Sequence, residues 1–337
     1  MAAKNTIAVT GAAGFWGGWL AQRLHETGHH VLALDSNTPP VPLHDIEFAE
    51  IDLQNPLLAD LFESHRVGKV LHLDFQWDKR NDPRIHERNV AGTRRLLEAA
   101  VAANVRQVVL KSSILAYGAR SDNPAYITEN HITRGGKAGY ARQLAEIEEE
   151  ARDLRAQDHA PILSVLRFAY VVGPQAPTLM NDLLKLWAAP TLLGFDPLIQ
   201  LVHENDVAAA LEHALDRELD GPVNIAAQPP IPLARLMHLA GILPIPLIHP
   251  FAYATGRVPQ FSKTLGQAQP IDWDYLRYPV IGDTTRMADE FLFAPAYDTD
   301  ALLAPVAEQG EQRRAALRLR RGDASFEDTA AEEVASA

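Results

Sequence analysis

The sequence predicts an α/β protein, a doubly wound parallel sheet with a smaller C-terminal lobe. Three observations predict it. Short β-branched runs alternate with amphipathic helical stretches through the first half. A glycine-rich turn joins the first strand to the first helix. The alternation then loosens after Gly173-Pro174. Strands that alternate with helices form a parallel sheet covered on both faces. Such a sheet binds ligands beyond the carboxyl ends of its strands, where the strand order reverses.

Taken in order, residues 7–10, 30–34, 69–73, 107–111 and 162–167 read as strands, and a third strand precedes Ile51-Asp52-Leu53. Residues 16–27, 55–65, 89–103 and 140–156 read as helices by their apolar spacing. Residues 175–197 read as helical with no strand-pairing signal. Residues 199–203 and 222–225 look like returns to the sheet, with a helix over 206–215 between them. From Pro229 to about Pro305 the chain is proline-rich and irregular. We therefore expect a nucleotide-binding domain over 1–174 and 198–228 and a substrate lobe over 175–197 and 229–305. From Val306 the chain is charged and alanine-rich, which reads as a frayed helix and a disordered tail to 337.

The 337 residues suffice for one large domain or two intimate ones. The formal net charge of −12 argues against a general nucleic-acid or anionic-membrane binder, because phosphates need a basic face. The chain has no cysteine, so disulfides, thiolate nucleophiles and cysteine-built zinc sites are excluded. The histidines show no metal-ligand spacing, and we expect no metal. No run is long and apolar enough to span a membrane; residues 239–258 come nearest but carry Pro244, Pro246, Pro250 and Arg257, and read as a buried loop-and-helix segment. A strand-like run begins at Thr6 with no signal-peptide pattern before it, from which we expect a cytoplasmic protein.

The glycine turn is Thr10-Gly11-Ala12-Ala13-Gly14-Phe15-Trp16-Gly17. Gly11 serves the tight turn, Gly14 lets the backbone approach a pyrophosphate, and Gly17 lets helix and strand pack closely. The helix N-terminus then faces the phosphates with its N–H groups and positive dipole end. Asp35 ends the second strand, where a carboxylate accepts the adenosine ribose hydroxyls and repels a 2′-phosphate. Ser36 and Asn37 follow with no adjoining arginine, so the cofactor expected is NAD rather than NADP. Asp52 stands where the adenine amine would be met, and equally suits a helix cap or a surface carboxylate.

These blocks resemble the extended short-chain dehydrogenase/reductases, which include nucleotide-sugar epimerases and dehydratases and carry a Rossmann-type fold. Besides residues 10–17, the resemblance rests on Asp52-Leu53, Asn89-Val90-Ala91-Gly92-Thr93, Ser112-Ser113 with Tyr117-Gly118, Tyr140, residues 167–174, His203-Glu204-Asn205-Asp206-Val207-Ala208 and Asn224-Ile225-Ala226. Asp283-Thr284-Thr285-Arg286 and residues 291–295 are similar to a subgroup of epimerase-like bacterial proteins with poorly defined substrates. The resemblance implies cofactor contacts from Gly11, Ala13, Gly14, Phe15, Trp16, Gly17, Asp35, Asp52, Leu53, Leu73, Asp74 and Tyr140. It implies a catalytic Ser113 and Tyr140, with Asn89 and Ser113 near a hydroxylated small-molecule substrate, and a homodimer formed by the helices at 89–103 and 140–156.

In the family a lysine four residues after the tyrosine lowers the tyrosine pKa and binds the nicotinamide ribose. Here that position is Leu144. An unassisted tyrosine titrates near pH 10, so about 0.1% is ionised at pH 7. Losing two to three pK units of assistance corresponds to roughly 3–4 kcal/mol, a rate loss on the order of a hundredfold for chemistry needing tyrosinate. A neutral Tyr140 still serves as a general acid or hydrogen-bond donor. Lys137 substitutes only if its loop folds over the site and otherwise reads as a solvated lysine in a glycine-rich loop, whereas Arg142, two residues after Tyr140, should point elsewhere. A second departure is Asp74-Phe75 after His72-Leu73, where the family has small residues: the carboxylate either turns to a backbone amide or an arginine, or serves altered chemistry. Arg257, Arg277 and Arg286 are the candidates for a substrate diphosphate. Three functional readings stand: an NAD-dependent epimerase, dehydratase or oxidoreductase with an atypical proton relay; an NAD-binding sensor or scaffold that has lost catalysis; and a non-redox lyase or isomerase using Ser113, Tyr140 and Asp74.

Overall fold

A computed structural model describes residues 5–76, 82–136, 139–248 and 272–321. Seven parallel strands form the central sheet: β1 (Thr6–Thr10), β2 (His30–Asp35), β3 (Glu47–Glu50), β4 (Val67–His72), β5 (Gln107–Ser113), β6 (Ile162–Phe168) and, at one edge, β11 (Gly221–Ile225). Their order is β11-β6-β5-β4-β1-β2-β3. The order reverses between β1 and β4, so the ligand crevice of a doubly wound sheet opens there.

Side chains on successive strand positions point to opposite faces, which explains why both faces are apolar. Val31 and Ala33 enter one core with α1 (Phe15–Glu26) and α6 (Glu204–Arg217). Leu32 and Leu34 enter the other, beneath α2 (Leu58–Ser64), α3 (Pro83–Ala102) and α4 (Tyr140–Arg155). Helix α3 starts six residues before the expected position. Asp82 caps it by accepting the Arg84 amide, and Pro83 supplies the fixed φ favoured in a first turn.

The later part corrects several expectations. Residues 175–197 are only partly helical: α5 (Leu179–Leu184) is followed by β8 (Ala188–Leu192), which pairs in parallel with β13 (Leu243–Leu247). Residues 199–203 do not return to the central sheet. They divide into β9 (Leu198–Ile199), paired with β12 (Ile231–Pro232), and β10 (Leu201–His203), paired with β7 (Tyr170–Val172). The proline-rich stretch also carries α7 (Leu233–Leu239) and α8 (Thr285–Asp289). In the described part of the nearest approach to a membrane span, Ala240 and Ile242 are buried but Leu243 and Ile248 are exposed, so that part is a half-exposed strand rather than a buried loop and helix; residues 249–258 lie outside the described residues. No described helix is long and apolar enough to cross a membrane.

The expected frayed tail begins instead as a docked helix, α9 (Thr299–Arg321). Arg313 donates to the Leu186 and Ala240 carbonyls, and Arg314 to that of His238. Two of those acceptors are C-terminal carbonyls of α7, which lack helical partners of their own. Arg313 and Arg314 therefore cap α7, and residues 322–337 lie outside the described residues. Leu302, Leu303 and Val306 of α9 join the core of this lobe with Leu236 and Met237 of α7.

Candidate functional site

The glycine turn behaves as its sequence requires. Gly11 has φ +72°, and a Cβ there would sit 2.8 Å from the Asp74 backbone. A Cβ on Gly17 would lie 2.1 Å from the Gly11 carbonyl oxygen, so only glycine allows this helix–strand approach. The first turn of α1 has no acidic residue and no side-chain cap, which leaves its positive end open to an anion. The turn, Ser113 and Tyr140 meet in one cavity of about 230 Å³ beyond the strand ends. Gly11, Gly14, Phe15, Trp16, Gly17, Leu73, Ser113, Tyr140 and Leu144 all line it. These residues fit a dinucleotide: a phosphate cradle at one end, and a serine and a tyrosine at the other.

At the adenosine side, Asp35 Oδ2 accepts the Ala13 amide at 3.0 Å and Oδ1 accepts the Asn37 amide at 2.9 Å. A carboxylate has about four acceptor directions, so it retains capacity for a ribose hydroxyl. Sequence adjacency misled in one respect: an arginine does adjoin this carboxylate's neighbour. Helix α3 delivers Arg88, whose guanidinium donates to Ser36 Oγ and lies 3.9 Å from Asp52. Asp52 is exposed and accepts the Gln54 amide at 2.9 Å, so it also closes a local turn. Leu53 is buried under Gly92 of α3.

Asp74 does not turn away to a backbone partner. Burial first, and then the Asp35 charge, push its carboxyl up to about 6; Arg88 opposes this and Asp52 adds to it. Its own amide and that of Leu73 donate to Thr10 Oγ1, which also pairs with His72 Nδ1 at 2.8 Å. His72 Nε2 meets Thr93 Oγ1 at 2.9 Å, and Thr93 donates to the Asn89 carbonyl. Burial holds His72 down at about 4, so it is a neutral latch between β4 and α3.

On the reaction side, Ser113 ends β5 and donates to the Phe168 carbonyl at 3.0 Å. Tyr140 opens α4, stacks edge-on against Phe75 at 5.1 Å, and burial pushes its phenol well above the usual tyrosine value. Leu144 lies on the same helix face, one turn on, and faces the same cavity. Asn89 is buried and does not line the cavity. Its amide donates to Gln143 and the Gln76 carbonyl and accepts the Gln76 amide, so it pins the loop after β4 to α4. Arg142 pairs with Glu146 at 2.8 Å, away from the cavity as expected. Lys137 and Arg257 lie outside the described residues.

The other diphosphate candidates have structural work. Arg286 donates to the Asp220 and Pro222 carbonyls, at the start of β11 and therefore at the opposite end of the strands from the crevice. Arg277 lies over the Phe195 and Tyr278 rings. His203 caps α6, while Glu204 and Asp206 accept amides of residues 175–176 and 296–297. Among the described residues there is no cluster able to hold a metal. Sequence reasoning missed Lys111, which lines the cavity from β5; strand alternation counted back from Ser113 would have found it.

The family model for the NAD dependent epimerase/dehydratase family matches residues 7–226. The chain belongs to that family. It is 30% identical over 308 residues to an uncharacterised protein of Mycobacterium tuberculosis, covering 88% of this chain and 81% of that one. Mouse UDP-glucose 4-epimerase is 31% identical over 193 residues, covering 50% of this chain and 54% of the enzyme. The fold matches MoeE5 in complex with UDP-glucose and NAD at a TM-score of 0.68 and 23% identity, over 92% of this chain and 99% of that one. It matches a Thermotoga maritima UDP-glucose 4-epimerase with UDP-glucose at a TM-score of 0.69 and 19% identity, over 91% and 99%. The architecture is that of the extended short-chain dehydrogenase/reductases.

Proposed function

We propose that this epimerase/dehydratase-family member binds NAD and acts on a hydroxylated, sugar-like small molecule through an atypical proton relay. The observation that carries the reading is the single cavity joining the glycine turn to Ser113 and Tyr140. Gly11, Gly14 and the α1 N-terminus would hold the diphosphate, and Asp35 the adenosine ribose. When bound, the nicotinamide supplies hydride acceptance and return. Ser113 would rotate from the Phe168 carbonyl to hold a substrate oxygen; Tyr140, as the phenolate, would take that hydroxyl's proton when the hydride leaves the substrate carbon, and would give it back when the hydride returns. Burial and Leu144 both keep Tyr140 protonated, so the oxidising half, which needs the phenolate, is the slow half and speeds up as pH rises, while the returning half finds its proton donor in place.

Residues 175–197 and 229–305 form the substrate side in this reading, and a nucleotide sugar is the substrate class suggested by the relatives. A cytoplasmic location suits a chain without cysteine. The test is NAD-loaded protein mixed with a panel of UDP- and dTDP-hexoses, followed by absorbance of the reduced nicotinamide and NMR of the sugar. A transient reduced signal with an altered sugar supports the reading. Binding of NAD with no reduction by any hydroxylated sugar supports the sensor or scaffold alternative, and sugar turnover without NAD supports the non-redox lyase or isomerase.

A further inference from the structure

Position 144 holds no cation, yet the cavity has one. Lys111 lies two residues before Ser113 on β5, so both side chains leave the same face of the strand. Both line the cavity with Tyr140, Leu144 and the glycine turn. The lysine reaches across toward the turn, with Nζ 5.0 Å from the centre of the Trp16 ring. Among the described residues its ammonium makes no hydrogen bond or ion pair. The other charged side chain lining the cavity, Glu148, is engaged by Arg167 and Ser112. His72, also in the lining, is neutral.

A lysine taken out of water without an acceptor is unfavourable, and burial alone lowers its pKa to about 8. Such a group stands ready for an anionic or polyhydroxyl ligand, whose oxygens supply the missing partners. The indole holds the ammonium toward the turn by cation–π attraction. The turn presents backbone N–H groups from one wall, and Lys111 presents a point charge from the sheet wall.

We propose that Lys111 is the cation that anchors the dinucleotide in this cavity, engaging its nicotinamide-side phosphate and ribose from the strand face in place of a lysine at position 144. The assignment rests on the dinucleotide reading above. Lys111 is a positioning residue: it acts on the chemistry through the cofactor and leaves Tyr140 neutral. The adenosine end, held by Asp35, lies beyond its role.

The test titrates NAD⁺, ADP-ribose and AMP into wild type, Lys111→Met and Lys111→Arg by calorimetry, with Trp16 fluorescence as a second signal and thermal melting alongside. Lys111→Met should lose about tenfold or more in affinity for NAD⁺ and ADP-ribose, as removal of one charge-assisted contact does. Its affinity for AMP should not change. Lys111→Arg should regain most of the loss. The melting temperature of unliganded Lys111→Met should equal or exceed that of wild type, because an unpaired buried charge is removed. Lys111→Met binding NAD⁺ within about twofold of wild type overturns the assignment. An equal loss for AMP also overturns it, since the effect would then be structural. Wild type that binds neither NAD⁺ nor ADP-ribose overturns the dinucleotide reading itself, and the assignment with it.

Discussion

Asp74→Asn should remove a pH-dependent penalty from the fold. The carboxyl is part-buried beside the glycine turn and is pushed from 3.8 up to about 6, first by burial and then by Asp35. A carboxyl whose folded pKa is raised contributes its full share below the unfolded value, and loses it as pH climbs through the folded one. The loss therefore falls between about pH 4 and pH 6 and persists above. A shift of about two pH units corresponds to about 3 kcal/mol, an upper figure for a part-exposed group beside Arg88. Asparagine keeps the shape and does not titrate. Urea unfolding of both proteins at about pH 4.5 and pH 7.5 separates the charge from any packing change. Between these two pH values the difference between variant and wild type should move in the variant's favour by up to about 2 kcal/mol, since about 1 kcal/mol of the loss already lies below about pH 4.5. The same variant should bind NAD⁺ more tightly at the higher pH, because a negative charge leaves the neighbourhood of the diphosphate. A stability difference that does not change with pH would refute the reasoning.

Three further outcomes follow from named contacts. Leu144→Lys should lower the spectroscopic pKa of Tyr140, since both residues face one cavity a helical turn apart; an unshifted tyrosine in a folded variant would contradict that geometry. Glu148→Ala should destabilise by about 3–5 kcal/mol in denaturant, because it leaves the Arg167 guanidinium, whose side chain is 6% exposed, with only the neutral acceptors Tyr117 and the Glu129 carbonyl; a loss under about 1 kcal/mol would contradict a buried pair. A homodimer through α3 and α4 is proposed from the family resemblance, and sedimentation at micromolar concentration should show it; a monomer would count against it. The Arg94–Glu150 and His86–Glu146 pairs already tie those two helices together within one chain.

The central sheet was legible because its period is local: β-branched runs, apolar helix faces and a glycine turn each declare themselves within a dozen residues. The second lobe was not. Strands β8 and β13 carry Pro190, Pro244 and Pro246, which speak against a strand, and they survive as a two-stranded pair outside the main sheet. The first turn of α3, Pro83-Arg84-Ile85-His86, has no buried residue, so the regular apolar spacing begins only later. Gly11, Ser113, Tyr140 and Leu144 were read as one site from the family resemblance, and the structure brings them to one cavity. Arg88 and Lys111 escaped for a different reason. Arg88 reaches Ser36 across 52 positions, and Lys111 sits in a strand where only the alternation with Ser113 marks it as facing the cavity. The charged stretch that holds Arg313 and Arg314 read as a frayed helix because the partners of these arginines are backbone carbonyls at the end of α7 and of Leu186, which no sequence pattern announces.

The central claim is that the glycine turn and Asp35 make this chain an NAD-binding member of its family. Calorimetric titration of nucleotide-stripped protein with NAD⁺ and then NADP⁺ tests it most directly. The account predicts saturable binding of one NAD⁺ per chain, weaker for NADP⁺ because Asp35 meets the 2′-phosphate. Absence of NAD⁺ binding, or tighter binding of NADP⁺ through Arg88, would contradict it.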